Sequence, residues 1–393
     1  MPDQPTRFET AAIRTQAPRS AAREHAVPVF LTSSFVFDDA EQARALFAEE
    51  IPGAVYSRYS NPNTDEFVRK LCLLERGEDG LSTASGMAAV FAALAALVKS
   101  GDHIVASRSL FGSTHQILTR LLPRWGVSST YVDASDDAGW ESAIRPETRV
   151  LFVETPSNPG LDVLDLDRLG ALAKARGIPL IVDNCFATPY LQRPLAHGAS
   201  LVVHSATKWI DGQGRVLGGA IVGDAALIAE ARFFARHTGP SLSPFNAWVL
   251  SKSLETLAVR MDRHCQNALA LATHFEGHAA LEQVRYPFLA SHPQHALARR
   301  QMSQGGGIVV LVLSGGYQRC RRFIDALALC SHSPNLGDTR TIVTHPTSTT
   351  HSKLTESERQ AVGIVPGLVR ISVGLEHVDD VIADIEQALA ASA

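Results

Sequence analysis

Residues 200–219 read SLVVHSATKWIDGQGRVLGG, and this stretch decides the fold. Its first half is apolar and rich in β-branched residues, which predicts a buried strand over 201–206. The polar side chains of Ser205, Thr207 and Lys208 follow, and a glycine-rich loop comes next. A lysine in this position is either a solvated surface charge or a reactive amine.

Other apolar runs of strand length flank this stretch, and amphipathic helical segments lie between them. The strand candidates are 103–107, 149–155, 179–184 and 219–223. Near-continuous apolar strands that alternate with helices predict a mainly parallel sheet with helices on both faces. Ser85 is expected to cap a helix that begins at Gly86 and ends at Gly101.

After about residue 250 the pattern changes to a long helical region, followed by apolar runs over 306–314 and 369–375. These predict a smaller α+β unit. We therefore expect three parts, which are an N-terminal arm (1–55) that contacts a neighbouring subunit, a large domain (56–250) and a C-terminal domain (251–393).

Composition excludes several classes of protein. Of the 393 residues, 45% are hydrophobic and 19% charged, which is typical of a globular protein. A formal net charge of −4 gives no reason to expect a nucleic-acid or anionic-membrane partner. The apolar run over 87–98 is too short to span a bilayer. The five cysteines are scattered and form no CxxC pair, which favours a reducing, cytoplasmic compartment.

Polar side chains follow several predicted strands at the same end. In parallel sheets ligands bind beyond the carboxyl ends of the strands. Asp183 and Lys208 fall at such ends. Glu154 lies at the end of the run over 149–155, and Asn158 follows that run. A buried carboxylate is costly unless it has a partner, and the N–H of a pyridinium ring would be one. The simpler interpretation of Asp183 is a cap for the following turn.

The amine of Lys208 becomes reactive if burial and neighbouring cations lower its pKa, because a neutral amine condenses with an aldehyde. The helix that begins at Gly86 offers backbone N–H groups to a phosphate, although a capped core helix is the commoner meaning of such a motif. A phosphate anchor, an acid and a lysine together are what pyridoxal phosphate requires.

Several motifs occur in one order along the chain. They are YSRYSNPN (56–63), ASGMAA (84–89), ETPSNP (154–159), VDNCFATP (182–189), HSATKWIDG (204–212), HPTSTTH (345–351) and RISVGLE (370–376). With them the chain resembles the Cys/Met-metabolism family of pyridoxal-phosphate enzymes over nearly its whole length. The resemblance implies the type I, aspartate-aminotransferase-like fold of PLP-dependent transferases and a tetramer built from two dimers.

The resemblance also implies roles for individual residues. Lys208 would carry the cofactor covalently and move protons, and Asp183 would hold the pyridine nitrogen. Gly86, Met87, Ser205 and Thr207 would bind the phosphate, and Tyr56 and Arg58 would reach the phosphate bound in the neighbouring subunit. Phe111 would stack on the ring. Asn158 and Arg370 would bind the α-carboxylate of the substrate. From the residues alone, Arg370 would be interpreted as part of a surface ion pair.

The chain departs from the family pattern in ways that narrow its expected activity. Phe111 stands where much of the family has a ring-stacking tyrosine, and Asn63 replaces a usual threonine. The segment SPNLGDTRT (333–341) resembles the sulfhydrylase branch, and IDGQGRVLGG (210–219) resembles its O-succinylhomoserine sulfhydrylase subgroup. The expected substrates are therefore an amino-acid ester and sulfide. Cystathionine γ-synthase, O-acetylhomoserine sulfhydrylase and methionine γ-lyase remain alternatives.

Functions of other classes are less well supported. The glycine loop over 212–219 precedes a strand and lacks GxGxxG spacing, which argues against a nicotinamide-dependent enzyme. A cofactor-binding regulator would need a DNA-binding appendage and a basic face. HFEGH (274–278) lacks the glutamate after its first histidine, so we expect no metal site.

Overall fold

A computed structural model describes residues 7–134 and 136–393, and their strands form two sheets. The strands are β1 Asp79–Thr83, β2 His103–Ser107, β3 Ser128–Val132, β4 Thr148–Glu154, β5 Leu180–Asp183, β6 Leu201–Ser205, β7 Gly219–Gly223, β8 Leu281–Arg285, β9 Ile308–Leu313, β10 Ser331–His332, β11 Ile342–Thr344 and β12 Leu368–Ser372. Strands β1 to β7 form the first sheet, and β8 to β12 form the second.

Helices separate most of these strands. They are α1 Phe8–Arg14, α2 Ala40–Phe47, α3 Pro62–Glu75, α4 Gly86–Ala95, α5 Gly112–Gln116, α6 Asp137–Ala143, α7 Leu166–Arg176, α8 Thr188–Leu191, α9 Ala225–Thr238, α10 Pro244–Leu254, α11 Leu257–Phe275, α12 His295–Gln301, α13 Gly316–Ala326, α14 Glu356–Ala361 and α15 Val378–Ala391. Each connection between consecutive strands from β2 to β6 contains a helix, as the alternating pattern predicts.

The first sheet has the strand order β1-β7-β6-β5-β4-β2-β3. All neighbours from β3 to β6 are parallel, whereas β7 is antiparallel to both β1 and β6. Every residue of β2, β7 and the central part of β4 is buried, which explains their continuous apolar sequence. The predicted mainly parallel sheet is confirmed, and the run over 219–223 is its antiparallel exception.

The second sheet has the order β10-β11-β12-β9-β8 and is antiparallel except between β10 and β11. It corresponds to the smaller α+β unit that the runs over 306–314 and 369–375 predict. The domain boundaries after residues 55 and 250 remain predictions, and residue 250 lies inside α10.

The structure differs from the sequence expectations at edges and helix ends. Strands β1, β3, β8, β10 and β11 do not stand out in the sequence, because they are short or partly exposed and polar. Helix α4 ends at Ala95 rather than near Gly101. The cause is a turn in which the Asp102 carboxylate accepts the backbone N–H of Lys99 at 2.8 Å, which competes with further helix.

The N-terminal arm is tied to the large sheet's first helix by Asn63. This buried side chain accepts the N–H of Phe30 at 2.8 Å and donates to the carbonyl of Pro28 at 2.8 Å. Residues 1–6 lie outside the described part of the chain, and contact of the arm with a neighbouring subunit remains a prediction. None of the helices in the described residues combines the length and apolar character needed to cross a membrane.

Candidate active site

Three neighbouring parallel strands bring the candidate residues to one edge of the first sheet. Glu154, the last residue of β4, is in register with Asp183, the last residue of β5. Strand β6 ends beside them at Ser205, and the chain turns there so that the N–H of Lys208 donates to the Ser205 carbonyl at 3.1 Å. The carboxyl edge of the sheet therefore holds two acids and an amine.

The Asp183 carboxylate fills the simpler of the two roles that the sequence left open. Its Oδ1 accepts the backbone N–H of Cys185 at 3.0 Å, so it does cap the following turn. Burial nevertheless raises the pKa of Asp183 to about 6, against the opposing effects of that N–H and of His204. A half-buried acid with so little compensation would gain from a cationic partner.

The Lys208 amine is turned toward the second sheet. Its Nζ donates to Oδ1 of Asn335, on the loop between β10 and β11, at 2.6 Å. Burial lowers the pKa of Lys208, and the positive charge of Arg370 lowers it further. The neutral, nucleophilic form of the amine is thus favoured relative to an exposed lysine.

The start of α4 lies directly against the end of β6. Ser85 caps the helix by accepting the N–H of Ala88 at 3.2 Å, and the N–H groups of Gly86 and Met87 have no acceptor within the helix. A Cβ on Gly86 would lie 2.5 Å from the Cβ of Ser205, so only glycine lets the two segments meet. This corner suits a phosphate.

The hydroxyl of Thr207, also expected at this corner, is already engaged. It accepts the N–H of Gly218 at 3.1 Å and lies 3.3 Å from the Gly218 carbonyl oxygen. Thr207 therefore holds the glycine loop against the turn that carries the lysine. Its single O–H donates to the Gly218 carbonyl, so it would have to release that carbonyl in order to donate to a phosphate.

Phe111 precedes α5 and is held from both sides. Its backbone N–H donates to Oε2 of Glu154 at 2.7 Å. Its ring meets His351 edge to face, with the ring centroids 6.4 Å apart at 89°. Burial lowers the pKa of His351 to about 4, so this neighbour of the ring is a neutral imidazole at pH 7.

Arg370 is buried, not a surface ion pair, so the interpretation from the residues alone is wrong. Its Nη1 donates to Oδ1 of Asn158 at 3.0 Å, and its Nη2 donates to the carbonyls of Pro334 and Asn335 at 3.1 and 3.0 Å. Nε is buried without a partner. Burial lowers the pKa of Arg370 to about 10, and it remains charged at pH 7. A guanidinium that shares its site with an amide can bind a carboxylate.

Tyr56 and Arg58 are not part of this cluster within one chain. Arg58 donates to the backbone carbonyl of Arg236 and stacks on Tyr59, with 4.7 Å from its guanidinium carbon to the ring centroid. Tyr56 is 41% exposed. Their expected contact with a phosphate of the neighbouring subunit remains a prediction.

The sequence does not predict what Glu154 and Asn335 contact. Glu154 was visible as an acid that ends an apolar strand, like Asp183. Asn335 was visible only as a mark of one family branch, since its contact with Lys208 spans 127 residues of sequence.

A succinyl ester has a second carboxylate that an acetyl ester lacks, and the sequence leaves Arg108, Arg215 and Arg340 open as its partner. Each of these arginines pairs with an acid in the structure. Arg108 pairs with Asp133, Arg215 with Asp211, and Arg340 with Asp338, at 2.5, 3.0 and 2.9 Å. Of the three acids, only Asp211, the partner of Arg215, is completely buried. This geometry selects none of the three.

Gly337 provides a test of how tightly the lysine segment is packed. A Cβ there would lie 2.6 Å from the backbone nitrogen of Trp209, and its φ is +76°. We expect Gly337→Ala to destabilise the fold by roughly 2–4 kcal/mol, the sum of left-handed strain and overpacking, and to weaken cofactor binding. Denaturant unfolding and spectrophotometric cofactor titration measure both effects.

Gly277→Ala is the matched control for this substitution. Its φ is +79°, but a Cβ would meet nothing within 4 Å. It should therefore lose only about 1–2 kcal/mol and bind cofactor normally. Equal losses for the two variants would show that the contact with Trp209 is unimportant.

Comparison with known proteins agrees with this site. The family model described as Cys/Met metabolism PLP-dependent enzyme matches residues 9–390. The O-succinylhomoserine sulfhydrylase of Pseudomonas aeruginosa is 47% identical over 98% of this chain and 95% of its own length. The L-methionine gamma-lyase of Porphyromonas gingivalis is 43% identical, over 97% of this chain and 96% of its own.

A solved structure from Campylobacter jejuni, described as an O-acetylhomoserine (thiol)-lyase, superimposes with a TM-score of 0.94 at 34% identity. The superposition covers 98% of this chain and 100% of the Campylobacter chain. The Campylobacter structure carries a pyridoxyl-lysine 5′-monophosphate residue. The corner at Gly86, the half-buried acid Asp183 and the half-buried amine of Lys208 fit that cofactor's phosphate, ring nitrogen and aldehyde. The chain therefore belongs to the Cys/Met metabolism family of pyridoxal-phosphate-dependent enzymes.

Proposed function

We propose that this enzyme is an O-succinylhomoserine sulfhydrylase, which replaces the succinate of O-succinyl-L-homoserine with sulfide and yields L-homocysteine for methionine biosynthesis. The observation that carries the proposal is the buried Asn158–Arg370 pair, linked through Asn335 to the amine of Lys208. An α-carboxylate bound by that pair would leave the rest of an amino acid near the amine. The 47% identity to a sulfhydrylase of this type supports the choice of substrate.

Pyridoxal phosphate, when bound, supplies an aldehyde that takes the substrate nitrogen and a ring that accepts electrons from the substrate carbons. Asp183 would hold the protonated ring nitrogen through its half-buried carboxylate. The remaining proposed ligands are Gly86, Met87, Ser205 and Thr207 for the phosphate, Phe111 for the ring face, and Tyr56 and Arg58 of a second copy of the chain.

Lys208 would serve as the proton carrier. Its Nζ would take the proton from the substrate Cα, pass that proton to the bound cofactor, and so be free to take a second proton from Cβ. A half-buried amine with a lowered pKa is suited to accept each proton in turn. Loss of the Cβ proton allows the bond from Cγ to oxygen to break, and succinate leaves. Sulfide then forms a bond to Cγ, and Lys208 returns protons to Cβ and Cα. The net exchange is one ester oxygen for one sulfur.

Arg370 and Asn158 would fix the α-carboxylate during these steps. The Arg370 Nε, buried and without a partner, is the donor still available to an incoming anion. A carboxylate there would also offset the cost of burying the guanidinium.

A second candidate is methionine γ-lyase, because a relative of that activity is 43% identical over 97% of the chain. Cystathionine γ-synthase would use the same residues with cysteine in place of sulfide. We further propose a cytoplasmic homotetramer of two dimers, in which each site is completed by Tyr56 and Arg58 of the adjacent copy.

Competition between substrates tests the proposal. The purified holoenzyme is given O-succinyl-L-homoserine with equal sulfide and cysteine, and the products are separated by chromatography. We expect homocysteine to exceed cystathionine at least about tenfold, a difference of 1.4 kcal/mol between the two transition states. The same assay with O-acetyl-L-homoserine compares the esters.

Three outcomes would contradict the proposal. Cystathionine as the main product would assign the synthase. Faster turnover of the acetyl ester would assign the other sulfhydrylase. Release of methanethiol from methionine alone, at a rate above that of the ester reaction, would assign the lyase.

A further inference from the structure

Glu154 is a buried acid whose two oxygens each bind a different part of the chain. The residue is 4% exposed and ends β4. Its Oε2 accepts the backbone N–H of Phe111 at 2.7 Å, and its Oε1 accepts the backbone N–H of Asn158 at 3.0 Å. One carboxyl group thus joins the segment that follows β2 to the segment that follows β4.

Both donors belong to residues with proposed roles in the site. Phe111 precedes α5, which has no side-chain cap of its own, so the Glu154 carboxylate is what holds the start of that helix. Asn158 presents its side-chain oxygen to Nη1 of Arg370 at 3.0 Å. A shift of the Glu154 side chain would therefore move the ring of Phe111 and one half of the carboxylate-binding pair.

The surroundings explain why an acid and not an amide suits this position. Burial first, and then the negative charge of Asp183, raise the pKa of Glu154 well above its usual value, and the N–H groups of Phe111 and Asn158 and the charge of Arg370 offset only part of that rise. What favours an acid is therefore geometry, since each of the two oxygens faces a backbone N–H donor. A carboxylate can accept at both oxygens, while an amide has one acceptor and one donor. The two opposed backbone N–H groups require two acceptors.

We propose that Glu154 is a positioning residue, which acts through Phe111 and Asn158 to keep the ring-facing side chain in register with the substrate-carboxylate pair. Its proposed effect is exerted through the backbone N–H groups of those two residues. The proposal rests on the proposed function only in requiring a substrate with an α-carboxylate.

Glu154→Gln tests this role, because the glutamine amide would face one of the two N–H groups with a donor. We expect cofactor absorbance to be retained and the KM for the amino-acid substrate to rise about tenfold to hundredfold, as for the loss of a buried hydrogen bond to a charged group. The change in kcat should be smaller. In cofactor-free protein, hydrogen exchange by mass spectrometry should show faster exchange in peptides that contain Phe111 and Asn158.

Asp384→Asn is the matched control, since Asp384 is also a buried acid that accepts backbone N–H groups, from Ala328, Leu329 and Cys330. It lies on α15, against the second sheet. We expect it to lower stability while KM and exchange at Phe111 and Asn158 stay at wild-type values. An unchanged KM in Glu154→Gln, or an equal rise in the control, would overturn the proposal.

The exchange measurement separates this proposal from the proposed function. If none of the homoserine esters is a substrate, the exchange of the Phe111 and Asn158 peptides still reports the role of Glu154. If Glu154→Gln does not fold, wild-type protein decides, because both amides must then exchange slowly. Unprotected amides at either residue would refute the proposal.

Discussion

Replacing Lys208 with alanine should reduce homocysteine formation by at least about a thousandfold, the range expected for a positioned proton-transfer group. The variant loses the Lys208 amine, whose pKa is lowered by burial. The alanine methyl group can neither carry the cofactor nor move protons. Borohydride reduction followed by peptide mass spectrometry should find the cofactor attached to the Lys208 peptide in wild type and to no peptide in the variant.

Two control variants sharpen this experiment. Lys208→Arg keeps a cation, but its guanidinium stays charged at neutral pH and should be equally inactive. Lys252→Ala removes a partly exposed lysine that pairs with Glu255 at 2.9 Å, and it should be active. Turnover by Lys208→Ala within tenfold of wild type would remove this residue from the proposed chemistry.

Replacing Asp183 with asparagine should lower kcat by roughly a hundredfold to a thousandfold, as expected when a preorganised charge is removed. The amide oxygen can still accept the Cys185 N–H, so the turn that follows β5 should form. The negative charge that we propose faces the ring nitrogen is lost, so electron withdrawal from the substrate carbons should weaken. Steady-state kinetics with saturating cofactor measures the effect. A wild-type kcat would contradict the proposed contact with the ring.

The stability of the cofactor-free protein provides a second measurement. Because burial raises the pKa of Asp183 to about 6, the folded chain holds this proton to higher pH than the unfolded chain, whose aspartate titrates near 3.9. Stability contributed by this group is present below about pH 4 and is lost as the pH rises to about 6. Asp183→Asn should therefore lose less stability than wild type between pH 4.5 and pH 7 in thermal unfolding.

The fold could be predicted where burial leaves a clear pattern in the sequence. Strands β2 and β6 are almost wholly buried and appear as apolar runs, whereas β3 and β8 are polar and partly exposed and escape detection. Lys208 and Asp183 could be placed together because parallel strands end at one edge.

Contacts between the two sheets could not be predicted in the same way. Asn158 and Arg370 are separated by 212 residues, and Lys208 and Asn335 by 127. Their proximity depends on how the second sheet packs against the first, which no local pattern encodes. For Arg370, the sequence even favoured the wrong environment, because an isolated arginine on a strand is usually exposed.

Strand β7 has a consequence for the growth of the chain during synthesis. Gly219 pairs with Thr83 on one side and with Ser205 on the other, and a Cβ there would overlap the carbonyl of Ser85. Strand β1, helix α4 and strand β6 precede β7 in the chain, so they leave the ribosome before β7 does. Until β7 emerges, β1 has no partner in the sheet, and α4 lacks one of the strands on which it packs. A nascent chain should therefore acquire its cofactor-binding corner only after Gly223, and the carboxylate-binding pair only once Arg370 has followed.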